Sequence, residues 1–207
     1  MAAAALRFAA LLATAVLAGC GGLRSDAEPD RIYVLNVTPA AQAATPLPGV
    51  LVVPRPAVQP GLDSDRIALL RSGNELDFYA ASRWGAPVSQ VLGAFAVQSL
   101  AGTFATVTAQ ERSAGPASFE LLLTTRHFEA VYSGTGAPEV RVALDCLLVA
   151  TAPRKVLGPC NADVREPAAD NRMAPVVQAF EQATQRAFEE VRRQAVALAG
   201  QQPRAGQ

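Results

Sequence analysis

The chain has 207 residues, half of them hydrophobic and 17% charged, with 18 basic and 18 acidic residues. A neutral, apolar composition of this kind excludes an intrinsically disordered or collagen-like chain. It also lacks the basic excess that drives sequence-independent nucleic-acid binding, and its 6% aromatic content gives little for base stacking.

The length fits one domain with tails. Arg7 is the only charge before Arg24, and Phe8 to Ala18 is a predominantly apolar run of eleven residues. A membrane-spanning helix needs about 20, so the run reads as the core of an export signal. Small residues follow, and Leu17-Ala18-Gly19-Cys20 resembles a bacterial lipobox. That resemblance implies removal of residues 1–19 as a signal peptide and acylation of Cys20 on its thiol and new amino group. Gly21, where an inner-membrane lipoprotein of this kind carries Asp, implies the outer membrane, with the protein facing the periplasm. Residues 20–30 are then a lipidated tether, 31–199 a folded domain and 200–207 a polar tail expected to be disordered.

Within the domain, Arg31 to Val37 reads as a first strand. Pro39 to Pro48 reads as a loop. The β-branched run Val50 to Val53 is halted by Pro54 and Pro56, which predicts an edge strand. Pro60-Gly61 marks a turn. Ile67 to Arg71 and Glu75 to Tyr79 flank Ser72-Gly73-Asn74 as a hairpin. Pro87 sits at a helix start, followed by Val88, Val91, Leu92, Phe95, Ser99 and Leu100 at helical spacing, and Gly102 suits the stop. Phe119–Tyr132, Val140–Ala150 and Lys155–Arg165 read as three long strands with short connections, an antiparallel meander. Last comes the clearest helix. Its apolar stripe runs through Val176, Val177, Phe180, Ala183, Ala187, Phe188, Val191, Ala195 and Leu198, and Glu189 and Arg193 face out as an i,i+4 pair. About seven strands and two amphipathic helices give an α+β, two-layer fold, with a largely antiparallel sheet and both helices on one face.

The search for catalytic chemistry finds little. His127 is the single histidine, and no G-x-S-x-G elbow offers it a nucleophile, so it reads as a structural strand residue. One His and two Cys besides Cys20 cannot close a four-ligand zinc site. Gly134-Thr135-Gly136 lies between strands with no following Lys and reads as a turn rather than a phosphate cradle. Asp63 and Asp65 read as turn residues. No enzyme activity, metal or cofactor is expected.

Cys146 and Cys160 are more informative. A three-residue loop at Ala152-Pro153-Arg154 sets Thr151 opposite Lys155 and Cys146 opposite Cys160. In an oxidising compartment such a cross-strand pair forms a disulfide. A one-residue slip in register would leave two reduced thiols instead.

Several elements between Tyr33 and Pro87 then combine: Tyr33-x-Leu35, Leu62-Asp63, Ile67 and Arg71, Asn74-x-Leu76, and Arg83-Trp84-x-x-Pro87. With the lipobox and the final amphipathic helix, this pattern resembles the ABC-type transport auxiliary lipoprotein family and its paraquat-inducible C-like members. The family often has an aromatic before the leucine of Leu62-Asp63 and an acidic residue before Pro87; here they are Gly61 and Ala86. The resemblance implies a non-catalytic outer-membrane lipoprotein. Its partners would be a mammalian-cell-entry-domain protein and the components of an ABC transporter that moves phospholipid or another hydrophobic cargo between membranes. The protein would dock the periplasmic machinery to the outer membrane, with homo-oligomers possible. Trp84 is then either a partner contact or core packing at a helix entrance. The rival readings are a general envelope-assembly lipoprotein and, remotely, a periplasmic hydrolase built around His127.

Overall fold

Three long strands organise the molecule. The computed structural model describes residues 29–38, 45–72, 75–110 and 117–201. The signal segment, Cys20, most of the tether, residues 39–44 of the loop, Gly73-Asn74 of the hairpin turn and residues 202–207 of the tail lie outside the described residues. In chain order the elements are β1 (Arg31–Tyr33), β2 (Leu47–Val52), β3 (Ala57–Val58), β4 (Arg66–Arg71), β5 (Glu75–Trp84) and α1 (Val88–Leu100). They continue with β6 (Phe104–Thr108), β7 (Phe119–Val131), β8 (Glu139–Thr151), β9 (Arg154–Pro167) and α2 (Met173–Gly200).

The fold is α+β: a mixed nine-stranded sheet with two helices. β7, β8 and β9 form the antiparallel meander read from their length and short connections. One edge of β7 pairs with β8 along its whole length. The opposite edge is shared by three short parallel neighbours, β2 at Phe119–Glu120, β3 at Thr124–Thr125 and β4 at Ala130–Val131. The sheet therefore forks at β7. One arm continues through β4 and β5 to β1, and the other through β2 to β6.

Several local readings need correction. β2 is not an edge strand, since β7 and β6 pair with it on either side. Pro54 does end it, and the chain then returns to β7 as the two-residue β3. The first strand stops at Tyr33 rather than Val37, because its partner β5 ends opposite it at Trp84; Leu35 and Val37 continue the inward side of Tyr33 and pack against the core. β5 runs on to Trp84 through a wide bulge in which Ala81 takes a left-handed φ of 47°. β6, built on the β-branched Thr106, Val107 and Thr108, was not expected. On α2, Glu189 pairs with Arg192 and Glu190 with Arg193, both at i,i+3, so the expected Glu189–Arg193 pair is absent.

Both helices lie against one sheet face and share a single core. Phe95 of α1 stacks on Phe188 of α2 at 5.3 Å. Leu51, Ile67, Leu121, Val142 and Leu148 meet them from the sheet. Gly102, with φ 75°, ends α1 in the left-handed conformation that glycine adopts without strain. α2 also closes exposed backbone. The Gln194 side chain accepts from Asn161 N–H (3.1 Å) and donates to Asn161 C=O (2.8 Å), taking the place of a neighbouring strand on β9. Gln185 does the same for Thr38, accepting from its N–H at 3.3 Å and donating to its C=O at 3.0 Å.

Candidate functional site at the entrance to α1

The residues singled out between Tyr33 and Pro87 meet at one place. β1 runs parallel to the end of β5, with Tyr33 opposite Trp84, and Gly85 N–H donates to Tyr33 C=O at 3.0 Å. The turn before β4 rises beneath the first turn of α1. Val88 N–H donates to Ser64 C=O at 3.2 Å, and Ser89 N–H donates to Asp63 Oδ1 at 3.0 Å. Pro87, the N-cap, has no side-chain hydrogen bond to offer. Asp63, remote in sequence, satisfies an orphan helix donor and sets negative charge at the positive end of the helix dipole. Asp65 C=O accepts from Trp84 N–H at 2.6 Å, while its carboxylate takes Arg83 at 3.1 Å. The same guanidinium reaches back to Asp30, just before β1. Hydrogen bonding to Asp30 first, and the nearby charge of Asp65, hold Arg83 above its ordinary value.

Trp84 lies beneath this clamp and is 1% exposed. Its ring meets Phe180 edge-on at 5.2 Å and Phe128 at 5.7 Å, and Phe128 meets Phe180 at 5.0 Å. Of the two roles open for Trp84, the geometry is that of a core residue sealing helix to sheet. Its Nε1–H has no hydrogen-bond partner among the described residues. Alongside the junction runs a groove of about 380 Å³ between α1 and the segment after β1. Val34, Leu35, Ala86, Val91 and Ala94 line it, and no lining residue is charged.

The other sequence candidates lie elsewhere. Cys20 is outside the described residues. Cys146 and Cys160 face each other in register under α2 and are joined by a disulfide, with Cα atoms 4.8 Å apart. That spacing is close to the ~4.5 Å of a non-hydrogen-bonded pair, where side chains approach most nearly. The register arises differently from the one derived from the sequence. The turn holds two residues, with Thr151 opposite Arg154, and a bulge at Leu157 then restores the Cys146–Cys160 pairing.

His127 owes its position to another bulge. The register jumps between Thr125 and His127, so the inward odd-numbered residues Leu121, Leu123 and Thr125 give way to inward Phe128 and Ala130. His127 and Glu129 therefore point to the outer sheet face, where His127 Nδ1 and Glu129 Oε1 lie 2.7 Å apart. Glu129, 3% exposed, also accepts from Phe128 N–H at 2.6 Å. The imidazole has a carboxylate partner, and no nucleophilic hydroxyl is bonded to it among the described residues. Around it the outer face is laced with ion pairs. Arg141 grips Asp163 with two bonds, 3.0 and 2.7 Å, and that guanidinium lowers the Asp163 carboxyl below its ordinary value. No group of three or more metal-ligating side chains occurs among the described residues.

Sequence reading missed the capping role of Asp63, the Asp30–Arg83–Asp65 clamp and the burial of Glu129. Nothing local marks Asp63 as the cap of a helix that starts 25 residues later. Its turn-forming composition was the visible signal, and only the fold adds the second role.

A family model described as the ABC-type transport auxiliary lipoprotein component matches residues 33–192. Among solved structures, the chain is similar to protein XCC0632 from Xanthomonas campestris, of the DUF330 family model. Identity is 25%, covering 83% of this chain and 98% of that one, with a TM-score of 0.73. An uncharacterised protein shares 17% identity over 81% of this chain and 99% of its own, with a TM-score of 0.65. The hypothetical protein CT253 from Chlamydia trachomatis shares 9% over 73% and 98%, with a TM-score of 0.52. These last two are alike in fold alone. No curated protein matches.

Proposed function

The chain belongs to the ABC-type transport auxiliary lipoprotein family, and from that premise we propose a non-catalytic component of an intermembrane lipid transport system. Residues 1–19 are removed on export, and acylated Cys20 anchors residues 20–30 and the domain 31–199 to the outer membrane, facing the periplasm. Each buried CH₂ contributes about 0.8 kcal/mol, so a multiply acylated Cys20 is a firm anchor. From there the domain docks a mammalian-cell-entry-domain protein and its ABC transporter to the membrane.

The observation that carries this reading is the family match over most of the domain together with the lipobox that precedes it. The Arg83 clamp is consistent with such a role, because it fastens the point where the tether enters the domain. The test is membrane fractionation and co-purification of native protein beside Cys20→Ser. Native protein is expected in outer-membrane fractions with transporter components, and Cys20→Ser in the soluble periplasm. Membrane retention of Cys20→Ser would remove the anchor. Capture of envelope-assembly proteins in place of a transporter would favour a general assembly role.

A further inference from the structure

We infer that the outward side chains of β1 and of the extended residue just after it, Ile32 and Val34, rest on the bilayer that holds the anchor. This rests on the reading of Cys20 as that anchor. Ile32 and Val34 are 66% and 63% exposed, more than the other large hydrophobics among the described residues that stand out to solvent, Val156, Leu76 and Leu122. They alternate with Tyr33 and Leu35, which turn the other way to pack against the core. A strand commonly keeps polar residues on its wet face, so two large aliphatic side chains there mark a surface that something covers.

The neighbourhood extends the patch. Both side chains flank Gly85, where a side-chain Cβ would stand 3.6 Å from a methyl of Val34 and 3.8 Å from a methyl of Ile32. Beyond Gly85 lies the uncharged groove along α1, with Ala86 and Ala94 in its wall. The acidic residue nearest in sequence, Asp30, is engaged by Arg83.

The position of the chain names the occupant. Cys20 precedes Ile32 by twelve residues, a reach of at most about 40 Å. The tether therefore joins the domain beside its exposed apolar side chains. An aliphatic patch at the root of a lipid tether is held close to the bilayer by the tether itself. It can sink to the boundary between headgroups and acyl chains, as interfacial apolar faces do. The Arg83 bonds to Asp30 and Asp65 fix the angle at which that face is presented.

The experiment uses the full-length acylated protein in vesicles of phosphatidylethanolamine and phosphatidylglycerol, some with brominated acyl chains, which quench tryptophan at short range. Trp84 is buried and serves as a constant background. Val34→Trp and, as a second reporter, Ile32→Trp are compared with Leu122→Trp, which stands on the same outer sheet face but on β7, three strands away from β1. Quenching at 34 and 32 at least about two-fold above the Leu122→Trp control is expected for residues seated in the interface. Equal, weak quenching at all three positions, with protein still membrane-bound, would overturn the docking face and leave the anchor standing. The mass of the N-terminal peptide tests the anchor separately. Should Cys20 carry no acyl chain, vesicles added to that protein read the patch by the same contrast, for or against. A blue shift at position 34 that needs no vesicles and grows with protein concentration would assign the face to a second copy. Loss of quenching on adding the periplasmic transporter component would assign it to that partner. Either result overturns the inference.

Discussion

Trp84 shows how one residue joins two layers. Its ring is shared between Phe128 of β7 and Phe180 of α2, at the point where β5 hands the chain to α1. Truncating a buried Trp to Ala costs about 3–5 kcal/mol, against a total stability of about 5–15 kcal/mol for a domain. Trp84→Ala is therefore expected to lower the unfolding midpoint sharply. Trp84→Phe should cost much less, because it keeps an aromatic contact and removes an N–H left without a partner. Thermal melts of the two variants check this, and equal melts for native protein and Trp84→Ala would contradict it. Asp163 gives a pH prediction. Arg141 lowers its folded value below the ordinary 3.8, so the pair contributes stability above the unfolded value and loses it as pH falls through the folded one. The pair is partly exposed, so its contribution is at most about 1 kcal/mol. Asp163→Asn should be less stable than the native protein near neutrality, with the gap closing in acid; denaturant titrations at several pH values measure it.

At the scale of elements, local signals read well and remote ones did not. The α2 stripe was legible because its large apolar residues recur at helical spacing on one face, and Phe180 and Phe188 are indeed fully buried. The meander was legible because long β-type runs with short connections have few alternatives. β2 was misread as an edge because its prolines carry the only local information, while its partners Phe104–Thr108 and Phe119–Glu120 are supplied from far along the chain. The Cys146–Cys160 register came out correctly through two differences that cancel, a turn one residue shorter and a bulge one residue longer. At the candidate site, the membership of Trp84 and Pro87 was visible in the motif, but the convergence of Asp30, Asp63 and Asp65 on it was not. Asp63 can be tested as a helix cap. Asp63→Ala should cost about 1 kcal/mol, read by urea denaturation, whereas Asp63→Asn, which keeps an acceptor oxygen for Ser89 N–H, should recover most of it.

For the whole molecule, the disulfide ties the last two meander strands beneath α2. Closing a loop of about 15 residues contributes on the order of 3 kcal/mol in the chain-entropy account. Peptide mapping without reductant is expected to recover the Cys146 and Cys160 peptides joined, and reductant should lower the melting temperature; two alkylatable thiols in native protein would contradict both. The fork of the sheet has a consequence for the order in which a chain can acquire its structure. Each short parallel neighbour of β7 waits on a partner far downstream, and Val50 bonds to Ser118 across 68 positions. Such pairings form late, since loop closure must precede them. A chain emerging amino end first therefore presents the apolar Val50 to Val53 run well before β7 arrives to receive it. Until the meander is out, that run is a naked sticky edge in need of an escort.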